Sequence, residues 1–505
     1  MHSAAEIPIQ WVSDAATSLD IPQPVGWDPS GSAAGWRDTH MEIDEALSRL
    51  YEYSDVAIQS TDHLAGQVRR KAKKLDEERR AKKQDVDETK PQIVPVPAAE
   101  HGSRMNVMPW ELLHLLGRAT VLSGHGSSRA LAQHWSCLKY ITTLQSNADG
   151  RMELSPDGRD PRFHRRSVQA EDLGIAFALA AALRIAGERH PGYRFEIADA
   201  DVALEAGWAL RGTQVKSKPH TRLRPDYFLI GLADNAAPRV ITVECKGSHG
   251  PQEAQHRQLA KAAAQVHAVV IGDPEHGDTS PPGLMMSTAL ADRGGIQMRI
   301  LDPPGDGVLV LPDDGHRGIL LNEPIEEYHE FPGIPIRSDD AEHDARPGFY
   351  IAADRTDWFA RVLSRTATAG LLAFVGDRRG AGNLLTPRQR TRLGSDQDRG
   401  VGYVTFDTEI ELAGIRLVGT DHVFRLASQR MEAFAGIPYE LYELLHEQPD
   451  LRAYHDALPS LQVLWHQRQD AIGNDWGGVI FMDTSGAAMG LRKLDLTSSR
   501  RSQLR

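Results

Sequence analysis

The stretch RPDYFLIGLADNAAPRVITVECKG, residues 224–247, predicts two apolar strands joined by a short loop. The first strand runs to Leu232 and begins with a proline, which the first residues of a strand tolerate. Turn-forming residues follow, and a second strand rich in β-branched side chains begins at Val240. This pattern indicates an antiparallel hairpin.

Pairing Leu232 with Pro238 places Asp226 opposite Glu244, and Lys246 shares a face with Glu244 because side chains alternate along a strand. Two carboxylates about 4 Å apart repel by roughly 4 kcal/mol at an effective dielectric of about 20. A divalent cation would relieve this repulsion, and oxygen ligands favour Mg²⁺ or Mn²⁺ over zinc. The alternative is an ordinary ion pair between neighbouring strands.

Pro225-Asp226 together with Glu244-Cys245-Lys246 resembles the PD-(D/E)xK motif of the restriction-endonuclease-like nucleases. The resemblance covers residues 167–300, about a quarter of the chain. It implies an α/β core, a mixed sheet flanked by helices, that hydrolyses phosphodiester bonds with Mg²⁺, usually in DNA. A helical N-terminal region and an α+β C-terminal domain are expected around this core.

The resemblance also implies roles for the residues of the motif. Asp226, Glu244 and the backbone carbonyl of Cys245 would hold Mg²⁺ or Mn²⁺. Lys246 would orient the attacking water or neutralise the charge that develops on the phosphate. Together these residues form the candidate catalytic centre.

Two predicted helices flank the hairpin. The segment 168–183 is apolar nearly all round, so we expect it to be buried against the sheet. Glu171 in its first turn matches a position where related nucleases carry an acid; it is a candidate metal ligand or base, and the helix dipole explains it equally well. In the second helix, 252–266, Gln258 either supports the site or belongs to a solvated polar face.

The net charge of −12 is unevenly distributed. Residues 271–350 contain sixteen Asp and Glu against five Arg, whereas 211–224 contain no acid. We expect the basic segment 211–224 to bind a nucleic-acid backbone. Arg165 and Arg166 are expected to add contacts, although an ordinary surface loop would also explain these two arginines. The candidate binding residues are Arg211, Lys216, Lys218, Arg222, Arg224, Arg165 and Arg166.

A second basic stretch spans residues 68–83, which hold nine Lys and Arg and three acids. It ends a region, 38–85, that we predict to form one or two helices. One interpretation is an arm that follows phosphates. The other is a solvated helix whose acids form internal ion pairs with its bases.

The length of 505 residues predicts several domains. The expected division is 1–97, arm and basic helix; 98–150, helical; 151–305, nuclease core; 306–350, acidic linker; and 351–505, α+β. Segments 269–271 and 297–301 are expected to complete the core sheet. In the last region we predict a strand at 409–418, a helix or helix pair at 421–447, and a hairpin at 477–494.

Only two cysteines, Cys137 and Cys245, occur, and the N-terminus lacks the features of a signal peptide. We therefore expect a soluble cytoplasmic protein without membrane contact. The predicted partner is DNA, and a protein partner or a second copy at the terminal regions stays open. The flanking regions fit a regulated bacterial antiviral defence nuclease by analogy of fold alone. The alternatives are a non-catalytic binding module with this fold and an RNA-directed nuclease.

Overall fold

The computed structural model describes residues 43–494, except 85–86, 123–133, 160–162, 208–222, 235, 273–277, 292–293, 310–321, 327–333, 336–344, 347, 394–405, 427 and 447–448. Residues 42–505 group into one compact unit. Among the described residues no helix is both long enough and apolar enough to cross a lipid bilayer.

The described helices are, in chain order, α1 Ile43–Tyr51, α2 Asp62–Ala81, α3 Ala98–His101, α4 Pro109–Thr120, α5 Pro156–Arg159, α6 Phe163–Arg189, α7 Ala200–Leu204, α8 Gln252–Gln265, α9 Thr356–Phe374, α10 Arg378–Leu384, α11 Tyr439–Leu445, α12 Leu451–Gln467 and α13 Gln469–Trp476. The described 3₁₀ helices span His134–Tyr140, Ala353–Arg355 and Gln389–Leu393.

The described strands are β1 Ser54–Gln59, β2 Arg104–Val107, β3 Leu144–Ser146, β4 Met152–Leu154, β5 Arg194–Asp199, β6 Tyr227–Leu232, β7 Arg239–Ser248, β8 Val269–Ile271, β9 Gly283–Ala289, β10 Gln297–Leu301, β11 Ile334–Pro335, β12 Ala345–Arg346, β13 Phe349–Ile351, β14 Thr408–Leu412, β15 Ile415–Leu426, β16 Gln429–Pro438, β17 Gly478–Met482 and β18 Ala488–Lys493.

A seven-stranded sheet in the order β2-β1-β10-β9-β7-β6-β5 carries the hairpin. Strand β7 pairs antiparallel with β6 and parallel with β9, and β1 pairs parallel with β10. The sheet is therefore mixed, and helices flank it, as the sequence predicts. Its strands β1 and β2 come from the regions that sequence analysis assigns to the N-terminal arm and the helical segment.

The predicted hairpin and its register are confirmed. Tyr227 lies opposite Val243 and Gly231 lies opposite Arg239. One residue before β6, the backbone N–H of Asp226 donates to the carbonyl oxygen of Val243 at 3.1 Å. The end of the hairpin therefore brings Asp226 beside Glu244.

Opposite faces of β7 pack against different helices. Ile241 and Val243 belong to a core that includes Phe177 of α6, so the predicted burial of this helix is confirmed. On the other face Met285 of β9, which pairs with Glu244, joins a core formed with α2 and α8. Glu244 thus points toward the side of the sheet that α8 covers.

The C-terminal region contains a five-stranded antiparallel sheet in the order β14-β15-β16-β18-β17. The predicted hairpin at 477–494 is confirmed as β17 and β18. The predicted strand at 409–418 is instead a hairpin of β14 and β15, which turns at Ala413 and Gly414, both with positive φ. The predicted helix at 421–447 is wrong over most of its length, because β15 and β16 pair there and only α11 is helical.

Two further predictions concern elements near the sheet. The region 38–85, predicted to form one or two helices, contains two, α1 and α2, and strand β1 lies between them. Strand β8 pairs with β13 in a separate two-stranded sheet and does not complete the core sheet. That place beside β7 belongs to β9, which is buried along its whole length. Most of the predicted acidic linker lies outside the described residues.

Candidate active site

The carboxylates of Asp226 and Glu244 meet where β6 begins. The backbone N–H of Asp226 donates to Glu244 Oε2 at 3.1 Å. Asp226 Oδ2 accepts a hydrogen bond from the backbone N–H of Cys245 at 2.8 Å. Because these bonds tie each carboxylate to the opposite strand, the hairpin itself positions both groups.

Lys246 lies on the same face, and its ammonium group interacts with both carboxylates. Its Nζ donates to Glu244 Oε1 and lies 3.6 Å from Asp226 Oδ2. The Glu244 side chain is fully buried, whereas those of Asp226 and Lys246 are 33% and 25% exposed. Glu244 therefore lies beneath the surface of the site, whereas Asp226 and Lys246 line its opening.

The charges of these residues influence one another strongly. Burial and the neighbouring Asp226 raise the pKa of Glu244 well above its ordinary value. Burial alone would lower the pKa of Lys246, but the carboxylates of Glu244 and Asp226 raise it. Burial likewise raises the pKa of the Cys245 thiol, so this cysteine is not poised as a nucleophile. The site is therefore a compact group of two acids and one lysine whose ammonium group stays protonated.

Gln258 of α8 supports the end of β7. Its Nε2 donates to the carbonyl oxygen of Gly247 at 2.8 Å, and its Oε1 accepts from Ser287 Oγ of β9 at 2.9 Å. The side chain is therefore held between two strands, in contrast to the solvated polar face considered above. Its contacts are those of a residue that positions the strand carrying Lys246.

Helix α6 reaches the same end of β7 through a close backbone contact. A Cβ atom on Gly247 would lie 1.8 Å from the carbonyl oxygen of Ala170, and one on Gly174 would lie 2.7 Å from the nitrogen of Gly247. Only glycine permits this approach. It brings Glu171 to the edge of the site. The helix begins at Phe163, so Glu171 lies in its third turn and not in the first as predicted, and the helix dipole does not explain this acid.

Glu171 is exposed and lines the same cleft as Asp226 and Lys246. It forms no hydrogen bond or ion pair with another described residue. Its neighbour Asp172, which sequence analysis did not select, accepts from Tyr140 Oη and pairs with Lys139 Nζ, both at 2.8 Å. Asp172 is thus committed to a structural role, whereas Glu171 faces the cleft.

The cleft above these residues has a volume of about 1160 Å³. Arg166 and Arg224 lie on its wall, and Arg165 is exposed on α6. Arg224 forms an ion pair with Asp201. The remaining residues of the predicted basic loop, Arg211, Lys216, Lys218 and Arg222, lie outside the described residues.

Sequence analysis missed two acids of the cleft wall, Asp199 and Asp201. Asp199 caps α7 by accepting from the backbone N–H of Val202 at 3.0 Å. The run Asp-Ala-Asp directly after an apolar strand is a helix-start pattern that could have revealed them. Both acids therefore have structural roles where β5 passes into α7.

The donor set at the hairpin is small. Within the described ranges, no group of three or more His, Cys, Asp and Glu side chains is arranged to hold a metal ion. The oxygen donors that converge are the carboxylates of Asp226 and Glu244, and the backbone carbonyl of Cys245 follows Glu244 directly in sequence. Such a set suits a hard cation that keeps several water ligands, which Mg²⁺ does.

Comparison of the chain with protein-family models, with curated proteins and with solved structures gives no match. The functional interpretation therefore depends on the geometry of the site and on the motif.

Proposed function

We propose that the protein is a metal-dependent nuclease that hydrolyses phosphodiester bonds, with DNA as its substrate, and that β5, β6, β7 and β9 with α6 and α8 form a restriction-endonuclease-like core. One observation carries the proposal. The carboxylates of Asp226 and Glu244 and the ammonium of Lys246 converge through hydrogen bonds across one hairpin, and Asp226 and Lys246 line an open cleft directly above the buried Glu244.

The residues present fit a divalent cation. Burial first, and the neighbouring Asp226 second, raise the pKa of Glu244, and a bound cation would favour the ionised form of both acids. Asp226, Glu244 and the Cys245 carbonyl would hold Mg²⁺ or Mn²⁺. Such an ion, when bound, acidifies water and offsets the charge of the phosphate.

Lys246 supplies a positive charge beside the reacting phosphate. Because the neighbouring carboxylates raise its pKa, its amine stays protonated and is unsuited to remove a proton. It instead donates a hydrogen bond to a phosphate oxygen and stabilises the charge that develops there. Arg166 on the cleft wall adds a cation that holds the polynucleotide backbone.

The test is a cleavage panel of plasmid, linear duplex, single-stranded DNA and RNA with Mg²⁺, Mn²⁺ or EDTA. We expect Asp226→Asn and Lys246→Ala to lower the cleavage rate by at least about 100-fold, the scale on which one electrostatic group contributes. Asp234→Asn is the matched control, because Asp234 is exposed at the opposite end of the same hairpin. Lys261→Ala, at an exposed position on α8, is the matched control for Lys246→Ala. Full activity of Asp226→Asn would refute the proposal.

A non-catalytic nucleic-acid-binding module is the second candidate. The hydrogen bond from Lys246 to Glu244 favours it, since the ammonium already offsets the buried acid without a metal. This function predicts DNA binding that EDTA leaves unchanged and no cleavage of any substrate in the panel. Cleavage of RNA alone would instead assign the same chemistry to an RNA substrate.

A further inference from the structure

Helix α2 presents a strongly cationic surface. Five of the six residues 69–74 are Arg or Lys, in a chain whose net charge is −12. Four of them are exposed, and we define these as the basic face: Arg69, Arg70, Lys73 and Lys74.

Packing fixes the direction in which this face points. Leu64, Ala65 and Val68 are buried, and they join a core with Leu259 of α8 and Met285 of β9. Three- and four-residue spacing places these apolar side chains on one side of α2. The basic face lies on the other side and is turned to solvent.

The basic face begins beside the rim of the cleft. Lys71 Nζ forms an ion pair with Glu253 Oε1 at 2.8 Å. Glu253 lies in the first turn of α8, and Gly250, three residues earlier, lines the cleft. The basic face occupies residues 69–74, about 9 Å of helix at 1.5 Å per residue, so it forms a compact cationic patch outside the cleft.

The acids of the helix do not neutralise this surface. Lys73 and Glu77 are four residues apart, yet Arg69, Arg70 and Lys73 form no ion pair with any residue that the structure describes. Glu78 lies 4.0 Å from Arg257 of α8 and is thus directed away from them. A solvated helix with internal ion pairs would have used these acids, so the arrangement favours binding of an external polyanion.

We propose that the basic face binds the phosphate backbone of duplex DNA outside the cleft. Cations grouped on one exposed side of a packed helix can neutralise several phosphates of a duplex and release their counterions. Such contacts position the duplex without reading its sequence. The inference rests on the proposed function in one respect: the choice of DNA as the polyanion follows from the nuclease proposal.

The test measures binding of a short DNA duplex to the full-length chain carrying Asp226→Asn, without divalent metal, over a range of salt concentrations. Adding Arg69→Gln, Arg70→Gln and Lys73→Gln should weaken binding and make the slope of log affinity against log salt less steep by about 2.7, for three lost phosphate contacts. The control combines Arg379→Gln, Arg425→Gln and Arg452→Gln, three exposed arginines distant in sequence from the cleft residues. It should leave the slope unchanged.

An unchanged slope in the α2 variant, or an equal loss in the control, would overturn the inference. So would binding of the unaltered chain to phosphatidylserine vesicles but not to DNA. A second measurement separates the two proposals. The three α2 substitutions, made without Asp226→Asn, should leave the rate of cleavage of a small phosphodiester unchanged, because a small substrate does not reach the basic face. If no chain cleaves but the slope changes as expected, the binding surface stands and the nuclease proposal fails.

Discussion

Glu244 is the most enclosed of the three charged groups at the end of the hairpin. Its side chain is fully buried, it accepts from Lys246 and from the Asp226 backbone, and its pKa is raised by burial and by Asp226. Strand alternation predicted that Glu244 and Lys246 share a face. The depth of Glu244 could not be predicted, because it depends on α8 packing over that face and on β9 pairing beside β7, and no local sequence pattern specifies either contact.

This crowding predicts a thermal effect of metal that is independent of catalysis. Mg²⁺ or Mn²⁺ should raise the melting temperature of the unaltered protein, since an ion that binds only the folded state at 100 times its Kd adds about 2.7 kcal/mol. Asp226→Asn and Glu244→Gln should abolish the shift, because each removes a carboxylate from the donor set. Differential scanning calorimetry measures it, with Asp234→Asn expected to behave like the unaltered chain. A shift that persists in Glu244→Gln would place the metal elsewhere.

At the scale of elements, local patterns predicted the hairpin of β6 and β7 and the helices α6 and α8, because each shows a clear period or run in one segment. Strand β9 shows none: it is buried on both faces and reads GLMMSTA, without alternation or many β-branched residues. Strands β15 and β16 carry polar side chains on their exposed parts, and the proline that ends β16 resembled a helix break. Pairing between distant segments decided these elements.

The close approach of α6 and β7 gives a test at this scale. Gly247→Ala would place a methyl group 1.8 Å from the Ala170 carbonyl, so the helix must move away from the strand. We expect a loss of about 1–3 kcal/mol in the free energy of unfolding, the usual cost of overpacking, measured in urea. Cleavage should fall as well, because the shift moves Glu171 away from Asp226.

Gly187→Ala is the matched control for this change. It lies on the same helix, and an added Cβ would contact nothing within 4 Å. Alanine there should stabilise the protein by about 0.5–1 kcal/mol, because glycine is the poorer helix former. Equal stability of Gly247→Ala and the unaltered chain would contradict the proposed helix–strand contact.

At the scale of the molecule, α4 joins the C-terminal sheet to the rest of the chain. Trp110 Nε1 donates to the Met489 carbonyl oxygen at 2.8 Å. His114 Nε2 lies 2.9 Å and Arg118 Nε 3.4 Å from Asp483 Oδ2, in the turn between β17 and β18. The partners are more than 360 residues apart along the chain, so no local sequence pattern could have paired them.

Asp483 therefore offers a test of whether the two sheets unfold together. Burial would raise its pKa, but Arg118 and His114 lower it well below the ordinary value. Asp483→Ala leaves Arg118, which is 8% exposed, without its carboxylate, and removal of one partner from a buried pair costs about 3–5 kcal/mol. Urea unfolding at neutral pH should show this loss in one transition followed both by tryptophan fluorescence and by circular dichroism. Asp456→Ala, at an exposed position on α12, should change stability by less than about 0.5 kcal/mol.

The same variant should respond to pH in a defined direction. A carboxyl whose pKa is lower in the folded state stabilises the protein above its unfolded pKa of about 4, and this contribution disappears as pH falls through the folded value. The difference in unfolding free energy between the unaltered chain and Asp483→Ala should therefore be full at neutral pH and should shrink below about pH 4. A difference that grows on acidification would mean that Asp483 is protonated in the folded protein, and the link between α4 and the C-terminal sheet would then be an ordinary neutral hydrogen bond.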